Sequence, residues 1–270
     1  MPELRSSDHQ FSAPPVYETA LAIQFEELTG FRTVHFGRYF ERVADRFPVV
    51  EDHPRAEPIF ESFPTVPRQL TLQLIPKKHG PERVWYRDEP DGSVLLQLQP
   101  DRFSLNWRRS TGSDKYPSFA ENGRLFLNEI EGFRDFCSSS ELGEIRPSLS
   151  EVIYVNRLFP NADETAVECM SRAFVGLSWE SSDEGLPTPE LVTFNRVYPI
   201  GVEDGRLYAE AGIARHPEQG DFVQLKMTAR VLIRDDGAIP DALQSAHDSI
   251  VNGFVSITTD SARTERWEQQ

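Results

Sequence analysis

The chain has 270 residues, 39% of them hydrophobic and 26% charged, which are the proportions of a globular protein long enough to bury a sizeable core. Its formal net charge of −15 argues against broad contact with a nucleic-acid backbone, because that contact needs a positive stripe to displace counterions. No apolar run reaches the roughly 18 residues that a membrane-spanning helix needs.

The first 14 residues carry no apolar signal core and read as a flexible leader. Residues 16–26 alternate imperfectly around an apolar middle and predict a strand. A helix from about Thr33 to Phe47 follows, with Phe36, Phe40, Val43 and Phe47 on one stripe, and Pro48 stops it. From Val49 to Pro67 prolines and acidic residues alternate without periodicity. The stretch reads as an extended surface loop, long enough to carry function or to move.

Residues 68–75 predict a strand with Leu70, Leu72 and Leu74 on one face, and residues 76–81 a basic turn. Three short strands come next, cut by turns at 89–92 and 99–101. The last of them, RFSLNWR at 102–108, places Phe103, Leu105 and Trp107 on one face and Arg102, Ser104, Asn106 and Arg108 on the other. A long helix then carries Phe119, Phe126, Ile130, Phe133 and Cys137 inward. Cys137 on that stripe reads as a buried thiol. With Cys169 the only other cysteine, no disulfide framework is expected, which fits the cytoplasm.

The pattern returns in the second half. A strand near 150–158 precedes residues 166–179, which fit either a strand or a short helix and read best as a helix and then a strand, and 181–189 reads as a loop. Strands follow near 190–199, 205–215 and 222–234, and the chain then forms a helix from about Pro240 to Thr258. The fold class is therefore α+β: a curved, largely antiparallel sheet with long helices on one face. It is built as two pseudo-repeated halves, 15–143 and 144–260, packed as one unit, with a polar tail at 261–270.

The motifs PPVYETALAIQF at 14–25, RFSLNWR at 102–108 with YPSF at 116–119, SEVIYVNRL at 150–158 and HDSIVNGFVSITT at 247–259 occur in this order across nearly the whole chain. Together they resemble a sporadically distributed, uncharacterised family of prokaryotic proteins of about this length. In similar proteins the last helix is commonly followed by a histidine and then a tryptophan-glycine; here Trp267 stands without either. The resemblance implies a single-unit organisation and no transferable activity. The sporadic distribution points to an accessory system such as a defence or toxin–antitoxin-like module.

Signatures of chemistry are sparse. The six histidines are scattered without the close-spaced pair that metal sites use, so no metal site and no cofactor is expected. No nucleophile elbow and no glycine-rich phosphate cradle is present. Glu18 and Glu151 begin equivalent strands and are weak candidates for a catalytic carboxylate pair, though a lone strand glutamate more often pairs with an arginine. Arg102, Asn106 and Arg108 form a polar row able to hold a carboxylate or phosphate. Trp85, Trp107 and Trp179 read as core. Trp267, among charges, either folds back or anchors a partner.

These readings favour a non-enzymatic cytoplasmic protein that binds a protein partner, with a homodimer left open. A small-molecule binder with its ligand between sheet and helix, and an enzyme using Glu18 and Glu151, are the alternatives.

Overall fold

A computed structural model describes residues 4–5, 11–64, 82–88, 92–110, 115–177, 189–235 and 238–267. The first half runs β1 (Val16–Phe25), α1 (Thr33–Val43), β2 (Val49–His53), β3 (Arg83–Arg87), β4 (Val94–Gln99), β5 (Arg102–Arg108) and α2 (Phe119–Ser139). The second runs β6 (Pro147–Leu158), α3 (Ala166–Ala173), β7 (Thr193–Ile200), β8 (Gly205–His216), β9 (Gly220–Leu232), α4 (Ile239–Ile257) and α5 (Asp260–Arg266).

The nine strands form one antiparallel sheet in the order β2-β3-β4-β5-β1-β6-β9-β8-β7. The first strand of each half meets the other at the centre, where Ala20 pairs with Ile153. Each meander extends outward from there. The sheet is continuous across the two halves, and the fold is α+β.

Alternation gives the sheet two unlike faces. One carries Leu21 and Ile23 of β1, Phe103 and Leu105 of β5, Val152 of β6, and Leu225, Met227 and Ala229 of β9, all buried. The helices cover this face. Phe133 of α2 stacks on Phe103 at 5.3 Å, Tyr39 of α1 meets Tyr86 of β3 edge-on, and Gly253 of α4 leaves room for Leu207 of β8. Phe103, Phe126, Phe133 and Tyr86 are fully excluded from solvent. At ~25 cal/mol per Å² of apolar area, such side chains are the main source of stability.

Local signals set the helix starts. Ser118 and Glu121 exchange bonds in a capping box at α2, and Thr165 and Glu168 do so at α3. Pro240 sits in the first turn of α4.

Several expectations are corrected. The leader is tied down where it is described: Leu4 is buried against α2 at Gly123, Arg5 exchanges two bonds with Gln244, and Phe11 packs edge-on against Phe254. The run from Val49 begins with a strand, β2, because its partner β3 supplies the pairing that its own composition does not advertise. The polar tail folds as α5, with Arg263 bonded to the Thr258 carbonyl and to Asp260. Trp267 is only 4% exposed and packs 5.0 Å from Phe254. It therefore folds back onto the body of the chain, one of the two readings open to an aromatic among charges. Trp85 is not core; it lies on the face away from the helices, stacked on His53 at 3.6 Å. Cys137 is a buried thiol, pushed up to about 12 by burial, and Cys169 is buried too. The strand expected at 68–75, the basic turn at 76–81 and Trp179 lie outside the described residues.

Candidate functional site on the open face of the sheet

The face away from the helices is polar, and a segment of the chain itself crosses one end of it. Residues 54–64 leave β2 as PRAEPIFESFP, with prolines at 54, 58 and 64. Such a segment favours extended backbone and makes no main-chain ladder of its own, so its polar groups need other partners. Two glutamines supply them. Gln99 of β4 accepts from the Ala56 amide at 3.2 Å and donates to the Ala56 carbonyl at 3.2 Å. Gln24 of β1 does the same with Ile59, at 2.8 and 3.0 Å. From β4 to β8 the strap passes over five strand spacings, roughly 24 Å at ~4.8 Å each.

Charge fixes both ends. Arg55 bonds Asp101 at 2.5 Å and Glu27 at 3.0 Å. Burial alone would lower the Arg55 pKa, but these carboxylates outweigh it and raise it. At the far end the Glu61 side chain is fully buried, bonded to Arg206 at 2.5 Å, Arg230 at 3.3 Å and the Tyr208 hydroxyl at 2.7 Å. Burial, with Glu61 beside it, pushes Tyr208 up to about 12. The Arg206 guanidinium also lies 4.2 Å from the Phe63 ring centre.

The row continues inward. Arg230 donates to Glu151 at 2.8 Å, and Glu151 accepts from Arg102 at 2.8 Å. Charges thus alternate Arg102, Glu151, Arg230, Glu61, Arg206 across four strands, β5, β6, β9 and β8, and the strap. Burial opposes the charge on Arg230, and the two glutamates more than restore it.

Beside the strap lies a cavity of about 170 Å³. Its floor is Ala20 and Ala22 of β1, Ser104 of β5 and Ile153 of β6; its walls include Arg83, Gln97, Arg102, Asn106 and Glu151. Small residues at successive outward positions of a central strand leave a depression where larger ones would fill it. Gln97 donates to Asn106 at 2.8 Å, and Asn106 donates to Glu18 at 3.0 Å. Arg83 reaches Gln97 at 3.4 Å and holds its guanidinium 5.4 Å from the Trp85 ring centre. Burial lowers the Arg83 pKa, and the nearby Arg102 cation lowers it further. The Nε–H groups of Arg83 and Arg102 and the indole N–H of Trp85 are buried without an acceptor among the described residues. A second, shallower groove on the same face runs over β7, β8 and β9, lined by Asn195, Glu210, Gln224 and Lys226 among others.

The structure brings together Arg102, Asn106, Glu18 and Glu151 on this face, as the alternation implied. Glu18 and Glu151 do not converge. Glu151 is paired with Ala22, four residues along β1 from Glu18, which is about 13 Å of strand. Glu151 is held between two arginines, Glu18 by Asn106. Arg108 faces solvent beside the cavity. Trp267 is elsewhere, under α4.

Sequence reasoning missed Gln24, Gln99, Glu61, Arg83, Arg206 and Arg230. Two signals pointed to them. Ala20, Ala22 and Gln24 occupy the outward phase of β1, where a solvated face would usually carry longer polar groups. The acidic Glu61 also lies between prolines in a run with no periodicity.

The chain matches no protein-family model, and no curated protein or solved structure shows significant similarity to it.

Proposed function

We propose that this is a non-enzymatic binding protein whose open sheet face receives an extended segment of a partner protein. One observation carries the reading: that face already holds an extended polypeptide, its own residues 54–64, by two bidentate glutamine–main-chain pairs and a buried glutamate. Side chains that bond both the N–H and the carbonyl of one residue recognise extended backbone whatever its sequence, and charged anchors at intervals then add selectivity. Beyond the strap the face offers further amides and cations of the same kinds: Gln97, Asn106 and Arg83 in the cavity, Asn195, Gln224 and Lys226 in the groove. The cations on an otherwise acidic chain favour a partner segment with acidic side chains.

The catalytic alternative loses support from the geometry. Glu18 and Glu151 are roughly 13 Å apart along the strands and each is engaged by other side chains, so they share no reacting atom. The repeated order of strand, helix, meander and helix about the β1–β6 pair supports a duplicated unit. Membership of the sporadic prokaryotic family, a cytoplasmic setting and a role in an accessory module belong to the same reading and rest on the motif resemblance.

The test is affinity capture from the native host with the full chain and with the double variant Arg83→Glu, Lys226→Glu. A stoichiometric partner recovered by the first and lost by the folded second is expected. A partner that both retain equally would place binding elsewhere, and no stoichiometric partner at all would count against the proposal.

A further inference from the structure

We infer that the cavity over Ala20 and Ala22 is a carboxylate site, with Arg83 and Arg102 as the groups that hold the anion. Three observations meet there. The first is shape. A volume of about 170 Å³ is close to that of cavities that accept a six-membered ring, ~150 Å³, so a small acid fits.

The second is charge. Among the described lining residues the cations are Arg83 and Arg102, and the anion is Glu151. Glu151 divides its two oxygens between Arg102 and Arg230, so it does not neutralise the site. Arg83 makes no ion pair among the described residues and bonds only the neutral Gln97 amide. Two guanidiniums of like charge facing one partly buried space repel each other, and an anion between them turns that repulsion into two attractions.

The third is donor excess. Among the described residues the Nε–H groups of Arg83 and Arg102 are buried without acceptors, and the Trp85 indole N–H stands in the same condition on the strand beside Gln97. Buried donors of this kind are satisfied by a partner rich in acceptors, and a carboxylate supplies four lone-pair directions and no proton. Gln97 and Asn106 add amides at the wall. The same face holds Glu61 and Glu151 against arginines, so this chemistry is already in use within a few residues.

The carboxylate could be that of a free small acid or of an acidic side chain on a partner segment. The site does not depend on the partner reading, because its test contains no partner protein. Succinate is titrated into the full chain by calorimetry at low ionic strength. One saturable site is expected, weakened at least tenfold in Arg83→Gln and unchanged in Arg134→Gln, whose guanidinium is on α2 and pairs with Glu131. Asn106→Asp places a second carboxylate on the wall and should abolish uptake while the melting temperature shows a folded chain. Competition by a short glutamate-rich peptide would assign the site to a side chain; uptake indifferent to that peptide would assign it to a free acid. Absence of saturable uptake overturns the inference. So does equal weakening by Arg83→Gln and Arg134→Gln, which would mark diffuse attraction rather than a site.

Discussion

The Glu61 carboxylate meets the Arg206 guanidinium at 2.5 Å, 145 residues away in the chain, with side chains 0% and 4% exposed. This pair fastens a segment from the first half of the sequence onto the outer meander of the second. Arg206 and Arg230 both bond Glu61, Arg230 sharing itself with Glu151, and removing Glu61 takes away the carboxylate against which the 4% exposed Arg206 side chain is held.

Replacing Glu61 with alanine should therefore cost about 3–5 kcal/mol, the range for breaking a buried ion pair by removing one partner. Glu61→Gln, which keeps an acceptor for Tyr208 and Arg206, should cost less. Urea unfolding of the two variants against the parent chain measures the difference. Equal stability of all three would show that the strap contributes nothing to the folded state.

His247 makes stability depend on pH. Its ring stacks on Phe119 at 3.9 Å, its Nδ1 shares a 3.1 Å hydrogen bond with the Tyr154 hydroxyl, and its Nε2 is buried without a partner among the described residues. Burial lowers its pKa to about 4, against 6.5 in the unfolded chain. Above pH 6.5 the ring is neutral in both states and this contribution is intact. As pH falls from 6.5 to 4 the unfolded chain takes up the proton first, so stability declines, by about 3 kcal/mol once below both values. His247→Gln should flatten that part of the stability–pH curve. An unchanged slope would mean other groups set it.

Trp267→Ala should destabilise the chain by about 3–5 kcal/mol, as for other large aromatic side chains removed from a core. Thermal or urea unfolding reads this directly. A near-neutral effect would mean that α5 and Trp267 do not pack against α4 in solution.

Much of the architecture was legible because alternation and helical spacing report burial directly. Phe103, Leu105 and Trp107 announced the inner face of β5, and Leu243, Ala246 and Ile250 that of α4. The elements that escaped owe their structure to distant residues. β2 is a strand because Tyr86 and Trp85 lie beside it, not because VVEDH has a strand pattern. Trp267 sits among charges in sequence, yet Phe254 provides its apolar surface. The site was half legible for the same reason. Arg102, Asn106, Glu18 and Glu151 share an outward phase that the sequence displays. Their partners Arg230, Arg83 and Gln97 come from strands whose order no local pattern reveals, and the strap is recognised only once the sheet beneath it is known.

The central claim is that the open face recognises extended polypeptide, and the most direct measurement of it is binding in trans of a labelled peptide copying residues 54–64. In the parent chain the strap occupies Gln24, Gln99 and the Arg206–Arg230 cage, so the peptide should bind weakly. In Glu61→Gln, where the strap is loosened, it should bind saturably and at least tenfold more tightly, and the further change Gln24→Ala should weaken it again. A folded Glu61→Gln variant that does not bind the peptide at all would contradict the account.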